Sequence, residues 1–180
     1  MIKPFSKNVI FFDTEFTDLD PNRGELISIG LVKHNGEELY VELEYEGDPT
    51  EWVKENVLPF LSGKKIGKKE AVGKIQEFVG NTKPYIVGYI NSDDVIYWQK
   101  LYRSVGVEDN IFNITSIDFA TILFMLGVDP EKYYFGNENG FFQKIGIDCK
   151  KYNNHNALDD AKLLRETYYK FLEDPSRFIF

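Results

Sequence analysis

Cysteine and long apolar runs are nearly absent from this sequence. Cys149 is the only cysteine among 180 residues, which excludes an intramolecular disulfide and a metal site built from several thiolates. A lone thiol also makes a nucleophilic role for Cys149 a poor explanation of function. No stretch approaches 18 consecutive apolar residues, and the four apolar residues before Asp13 are too few for the core of a signal peptide. We therefore expect a cytoplasmic protein without a membrane span.

Positive charge is also scarce. The chain has 21 Lys and Arg against 29 Asp and Glu, a net charge of −8. Proteins that grip long duplexes usually carry a broad basic face, so long-duplex binding is not expected, whereas a protein that holds a few nucleotides at a strand end needs only a local basic patch. One dense basic run is present, at Lys64, Lys65, Lys68, Lys69 and Lys74. It is predicted to be mainly a solvated face, with phosphate contact as the alternative.

The pattern of apolar residues predicts one α/β domain over residues 1–180. There is no internal repeat, low-complexity tract or linker, and 43% hydrophobic residues can fill a core. Strands are predicted at 8–13, 26–34, 37–44 and 84–90, and the Asn35-Gly36 turn joins two of them, which gives an antiparallel three-strand meander. Helices are predicted at 50–61, 68–79, 92–105, 115–126, 140–145 and 156–172. The expected architecture is a mixed central sheet flanked by helices.

Two carboxylates follow the first apolar stretch, in Asp13-Thr14-Glu15. Side chains at i and i+2 of a strand point to one face about 7 Å apart, so Asp13 and Glu15 can bracket one cation while Thr14 faces the other side. Oxygen ligands suit Mg²⁺ or Mn²⁺ better than zinc. Taken alone, this string is more often a solvated strand end than a metal site.

A second acidic string, with a histidine, opens the last predicted helix at 155–160. Asn156 can cap that helix and Asp159 can complete a reciprocal cap, which puts Asp160 in the first turn where the helix dipole favours a carboxylate. His155 lies just outside the amino end, where the same dipole favours the neutral imidazole that a general base needs. The alternative is two ordinary first-turn acids beside a loop histidine.

Together, Asp13-x-Glu15 and His155-x-x-x-x-Asp160 resemble the first and third motifs of the DEDD family of 3′→5′ exonucleases, in the subgroup with a histidine (DEDDh). The resemblance covers nearly the whole chain. The placement within the family is less specific than the family itself. The segment at 52–59 and the start of the helix at 92 look most like short exoribonucleases of bacterial and phage type.

The second motif of that family is an aspartate early on the helix after the fourth strand, and here two adjacent acids compete for the place. The preceding Tyr89-Ile90-Asn91 lacks the histidine that is common in the family. We favour Asp93 over Asp94, because bulky residues follow Asp93 at the third and fourth positions, as in the family. Neighbouring residues on a helix face about 100° apart, so only one of the two can point at a shared metal.

The resemblance implies an RNase H-like fold and two divalent cations, Mg²⁺ or Mn²⁺, held by Asp13, Glu15, Asp93 and Asp160. It implies that His155 is the general base and that nucleoside 5′-monophosphates leave the 3′ end of a single strand, with RNA favoured over DNA. Phe16 is expected to stack on the terminal base, with packing on the core as the alternative. Thr14, or a backbone group beside it, is expected to contact the terminal 3′ hydroxyl.

Other functions remain as alternatives. A DNA-directed proofreading or repair exonuclease differs only in how a 2′ hydroxyl is read, and a catalytically inactive nucleic-acid-binding module would keep the fold without the reaction. A phosphatase with an aspartyl nucleophile is disfavoured, because Glu15 stands where its second aspartate would be. The late aromatic residues are predicted to be core, although a dimer interface or a substrate channel, and with it a homodimer, stays open; they are Tyr133, Tyr134, Phe135, Phe141 and Phe142.

Overall fold

A mixed six-stranded sheet forms the centre of the fold. The structure is a computed structural model that describes residues 2–108, 111–134 and 140–179. The strands are β1 (Val9–Phe16), β2 (Leu26–Lys33), β3 (Glu38–Leu43), β4 (Lys65–Ile66), β5 (Tyr85–Gly88) and β6 (Ile117–Asp118). Their order is β4-β3-β2-β1-β5-β6, with β1, β2 and β3 antiparallel and the other pairs parallel. The predicted α/β architecture with a three-strand meander is confirmed.

Helices cover both faces of this sheet. The α-helices are α1 (Glu51–Asn56), α2 (Lys68–Val79), α3 (Ser92–Ser104), α4 (Phe119–Met125), α5 (Glu131–Tyr134), α6 (Phe141–Lys144) and α7 (Ala157–Glu173). Short 3₁₀ turns lie at Leu58–Phe60, Cys149–Lys151 and Pro175–Phe178. The helix predicted at 50–61 is divided at Val57, in front of the turn that contains Pro59, because proline lacks the amide that would continue the helix. The predicted helix at 115–126 includes the edge strand β6, which is too short to carry a strand pattern.

Alternate residues of β1 pack into two separate hydrophobic cores, one on each face of the sheet. Val9 and Phe11 pack with α7, whereas Ile10 and Phe12 pack with α2 and α3. Because side chains alternate along a strand, Asp13 and Glu15 continue the α7 face and Thr14 continues the α2 and α3 face. The late aromatic residues that the structure describes join the α7 core, with Tyr133, Phe141 and Phe142 all buried as predicted. Phe135 and the side chain of Tyr134 lie outside the described part of the chain.

The end of β1 extends past its parallel neighbour. β5 pairs with β1 only as far as Phe11 opposite Val87, while β1 continues to Phe16 beside β2. Helix α3 begins at Ser92, shortly after β5 ends, and therefore lies next to the unpaired side of β1. The carboxyl ends of the strands, beside the start of the following helix, are where open α/β sheets usually bind ligands. Within the described ranges, no helix is long and apolar enough to cross a membrane.

Candidate active site

Three carboxylates from two elements meet beside the end of β1. Asp13 and Glu15 come from alternate positions of β1, as predicted, and Asp160 comes from the first turn of α7. One carboxylate oxygen of each residue lies within 4.8 Å of the others. Both β1 acids lie inside the strand rather than beyond its end, because β1 continues to Phe16. A fixed strand backbone therefore holds them in position.

Gly30 allows α7 to approach β1 this closely. Gly30 is the β2 residue paired with Asp13, and a Cβ at this position would lie 2.2 Å from the Ala157 carbonyl oxygen and 2.4 Å from the Leu158 amide nitrogen. Only glycine therefore fits beneath the first turn of α7, and this contact brings Asp160 to Asp13. Sequence reasoning missed Gly30, although a glycine inside an apolar strand is a recognisable signal of a close backbone approach.

A fourth carboxylate, that of Asp94, reaches the cluster from α3. Its Oδ1 accepts hydrogen bonds from the amide nitrogen of Thr14 at 2.9 Å and from the Thr14 hydroxyl at 2.6 Å. Asp94 is buried, with 8% of its surface exposed. Burial is the largest cause that raises the pKa of Asp13, and the charge of Asp94 is the second. Asp94 therefore belongs electrostatically to the cluster.

The phase of α3 puts Asp94, not Asp93, on the buried face of the helix, and the assignment of Asp93 as a metal ligand stays a prediction. The buried face of α3 includes Tyr97, Trp98, Leu101 and Tyr102, which follow Asp94 at three, four, seven and eight residues. Asp93 lies about 100° away and is partly exposed. Ile96, one of the bulky residues that favoured Asp93, is 40% exposed, so it does not mark the buried face.

Thr14 and Phe16 both contact side chains of α3. Thr14 is buried, and its amide and hydroxyl both donate to Asp94, which helps to position that carboxylate. A contact of Thr14, or of a backbone group beside it, with a terminal 3′ hydroxyl stays a prediction. The ring of Phe16 stacks on Tyr97, with centroids 4.3 Å apart and planes 9° apart. Tyr97 thus covers one face of the ring of Phe16, which is half-buried. Stacking of a base on the other face stays a prediction.

His155 is tied to the cluster through its backbone. It has a left-handed conformation, with φ of +62°, and its amide donates to Oδ2 of Asp160 at 2.9 Å. Its ring meets the indole of Trp52 edge to face at a centroid distance of 4.8 Å, and Nε2 lies 2.9 Å from Nδ2 of Asn154. Burial lowers the pKa of His155, which favours a neutral imidazole. Trp52 is a site residue that sequence reasoning did not single out.

The start of α7 forms only half of the expected reciprocal cap. The side chain of Asn156 accepts a hydrogen bond from the Asp159 amide at 3.2 Å, as expected. The Asp159 carboxylate instead accepts from the backbone and side chain of Asn153, which stabilises the loop before His155. Asp159 is therefore a structural residue, and Asp160 alone represents α7 in the cluster.

Burial and mutual repulsion make the four carboxylates difficult to ionise together. Burial is the main cause that raises the pKa of each: to about 8 for Glu15, about 7 for Asp160, about 6 for Asp94, and well above the ordinary value for Asp13. Neighbouring acids raise these pKa values further, while the hydrogen bonds from Thr14 oppose the change at Asp94. A divalent cation would remove this repulsion, and an all-carboxylate set of donors fits Mg²⁺ or Mn²⁺.

These shifts predict how stability depends on pH and on divalent ions. Because the folded-state pKa values lie above the ordinary values of 3.8 and 4.5, the folded protein retains protons between pH about 5 and about 8 that the unfolded chain releases. The free energy of unfolding of the metal-free protein should therefore fall as the pH rises through this range. We expect a loss on the order of 2 kcal/mol, or roughly 5 °C in Tm, between pH about 5.5 and about 8 in EDTA.

Thermal denaturation monitored by circular dichroism, in EDTA and in Mn²⁺, checks this expectation. Mn²⁺ should raise Tm, and the increase should be larger at the higher pH, where the carboxylates would otherwise repel one another. Asp13→Asn is the matched control, since it removes one charge from the cluster and should weaken both effects. A Tm that is independent of both pH and Mn²⁺ would contradict the assignment of these residues as a cation site.

Most lysines of the dense basic run contact side chains of this protein. Lys65 lies over the ring of Tyr45 at 3.9 Å, and Lys68 and Lys74 form ion pairs with Glu25 at 2.8 Å and Glu70 at 3.2 Å. This arrangement favours the solvated face over a phosphate-binding patch for most of the run.

Comparisons with known proteins show which solved structures have a similar fold. Neither a protein-family model nor a curated protein matches the sequence. Among solved structures, exonuclease I superimposes with a TM-score of 0.71 at 14% identity, over 94% of this chain and 42% of exonuclease I. The nuclease domain of 3′hExo, a DEDDh family member bound to rAMP, superimposes with a TM-score of 0.70 at 15% identity, over 98% of this chain and 97% of that domain.

A third structure, E. coli exonuclease I in complex with a dA16 oligonucleotide, has a TM-score of 0.65 at 13% identity over 94% of this chain. This chain thus spans about two fifths of the length of exonuclease I and nearly all of the 3′hExo nuclease domain. At these identities the likeness establishes the fold. The chain has an RNase H-like fold, which it shares with exonuclease I and the 3′hExo nuclease domain.

Proposed function

We propose that residues 1–180 act as one metal-dependent 3′→5′ exonuclease domain that hydrolyses single-stranded nucleic acid. The observation that carries the proposal is the convergence of Asp13, Glu15 and Asp160. Asp94 is bonded to Thr14 beside them, and the backbone of His155 is bonded to Asp160. The fold adds support, because its structural neighbours include nucleases bound to an oligonucleotide and to a nucleotide. Glu15 and Asp94 are buried and Asp13 and Asp160 are half-buried, and four such acids without a cation would be costly in a protein that only needed the fold.

The residues suggest how the reaction proceeds. Asp13, Glu15, Asp94 and Asp160 would hold two divalent cations, Mg²⁺ or Mn²⁺, which supply charge neutralisation and Lewis acidity at the scissile phosphate. His155, kept neutral by burial, takes a proton from the attacking water. The water oxygen bonds to phosphorus and the bond to the preceding 3′ oxygen breaks, which releases a nucleoside 5′-monophosphate. The departing 3′ oxygen takes a proton from solvent, which leaves a strand with a new 3′ hydroxyl, and His155 returns its proton to solvent.

The substrate is proposed to be the 3′ end of a single strand, with RNA favoured through the resemblance to short exoribonucleases. DNA is the second candidate, and a specific observation supports it, since exonuclease I binds dA16 in one of the matching structures. The contrary example is 3′hExo with bound rAMP, which carries a ribose. A homodimer stays a prediction.

Digestion of 5′-labelled single strands tests the proposal. RNA and DNA of equal sequence are incubated with Mg²⁺, Mn²⁺ or EDTA, and the products are separated on a denaturing gel. We expect a ladder that shortens from the 3′ end in the presence of either ion and is absent in EDTA. The strand that shortens faster identifies the preferred sugar.

Asp13→Ala, purified in the same way, controls for a contaminating nuclease, and it should give no ladder. No ladder from the folded wild-type protein on either strand, with both ions tested, would contradict the proposal. Binding of the same strands without cleavage would then favour a catalytically inactive nucleic-acid-binding module.

A further inference from the structure

The ring of His155 meets a residue from a distant part of the chain. The hydrogen bond at its Nε2 goes to Asn154, the adjacent residue of the same loop, which cannot by itself fix the ring relative to the sheet. Trp52, on α1, provides the aromatic contact, edge to face at 82°. A histidine that acts as a base is usually oriented by a partner on a rigid element. In the described part of this chain, α1 is the rigid element that contacts the ring of His155.

Helix α1 is fixed to the sheet independently of Trp52. The side chain of Thr50 caps the helix, and the amide of Thr50 donates to the Thr17 carbonyl at 3.0 Å, directly after β1. Val53 and Val57 pack with Ile27 of β2 in a small buried cluster. This anchoring uses a different side of the helix from Trp52, which is left 51% exposed. Trp52 is therefore not required as a core residue.

A second contact joins the same two regions. Nδ2 of Asn156, the capping residue of α7, lies 3.4 Å from the carbonyl oxygen of Phe60, in the turn that follows α1. The α1 region thus contacts two adjacent residues of this loop, His155, which has the left-handed backbone, and Asn156. The imidazole lies between a backbone fixed by Asp160 and a ring fixed by α1.

We propose that Trp52 is the positioning residue for the imidazole of His155, which holds the ring in the orientation needed to take a proton from water. This inference rests on the proposed function, since it concerns the same site. Trp52 acts through His155 and need not touch the substrate. An edge-to-face contact is sensitive to ring geometry, so a smaller aromatic ring should preserve part of the effect and a methyl group should not.

Steady-state kinetics on a short single-stranded oligonucleotide, with Mn²⁺ present, test the proposal. We expect Trp52→Ala to lower kcat about tenfold with KM within about twofold of the wild type, and Trp52→Phe to recover most of kcat. Phe5→Ala is the matched control, because Phe5 is an aromatic residue that is 94% exposed and packs on Tyr85, outside the cluster. It should leave both constants unchanged. Thermal denaturation should show that each variant is folded.

Nuclear magnetic resonance gives a readout that does not depend on activity. The chain has two histidines, His34 and His155, so His155→Ala assigns their imidazole signals directly. In the wild type, the indole ring current should displace the ring protons of His155 from the shifts of free histidine. In Trp52→Ala this displacement should disappear, while the signals of His34 should stay in place.

The possible results are distinguishable. Loss of kcat together with loss of the ring-current shift supports the inference. Unchanged kcat in Trp52→Ala, or a higher KM with unchanged kcat, overturns it while the proposed function stands. Unchanged histidine signals in a folded Trp52→Ala protein overturn it as well. A wild-type protein that degrades neither strand overturns the proposed function and, with it, this inference.

Discussion

Asp94→Asn should lower kcat by about a thousandfold, whereas Asp93→Asn should leave kcat within about threefold of the wild type. Asp94 is buried beside Thr14 and contributes its charge to the cluster, while Asp93 is one residue away on a different face of α3. Asparagine keeps the size of aspartate and its Oδ1 can still accept both hydrogen bonds from Thr14. The substitution therefore removes the negative charge and leaves the local packing in place.

The two variants are a matched pair, since they make the same chemical change one residue apart. Single-turnover cleavage of a labelled oligonucleotide in Mn²⁺ measures the effect on the chemical step. In EDTA, Asp94→Asn should be at least as stable as the wild type at pH about 8, because it removes one of the repelling charges. A large loss in Asp93→Asn with little change in Asp94→Asn would reverse the assignment and restore Asp93.

His155→Ala should reduce turnover by about a hundredfold to ten-thousandfold, the usual contribution of a general base, with little effect on ion binding. His155 contacts Asp160 through its backbone amide, and alanine retains that amide. The four carboxylates should therefore keep their positions. Loss of the imidazole removes the group that takes the proton from water.

Fluorescence anisotropy of a labelled strand in Ca²⁺, together with the Mn²⁺-induced increase in Tm, separates binding from chemistry. Both should be close to the wild-type values in His155→Ala, while cleavage in Mn²⁺ is lost. His34→Ala is the control, because His34 lies at the turn between β2 and β3, outside the cluster, and its carbonyl is bonded to Arg165, five residues after Asp160 on α7. Near-normal turnover in His155→Ala would exclude His155 as the base.

Local patterns along the chain were enough to predict most of the architecture. The Asn35-Gly36 turn gave the hairpin, the apolar stripes gave α2, α3 and α7 within one residue at each end, and the predicted strands overlap β1, β2, β3 and β5. The two-residue strands β4 and β6 were missed, since they exist only because a neighbouring strand offers hydrogen-bond partners. A segment of two residues carries no periodicity of its own.

The sequence by itself determined which acids could form the site, because strand alternation puts Asp13 and Glu15 on one face and the capping pattern puts Asp160 in the first turn of α7. Only the tertiary structure shows that Asp94, and not Asp93, is on the buried face of α3, because the phase of a helix is set by the core on which it packs. It also placed Trp52 against His155 and the backbone of α7 against Gly30. These contacts join residues far apart in the chain, and only the packing of helices on a common sheet brings them together.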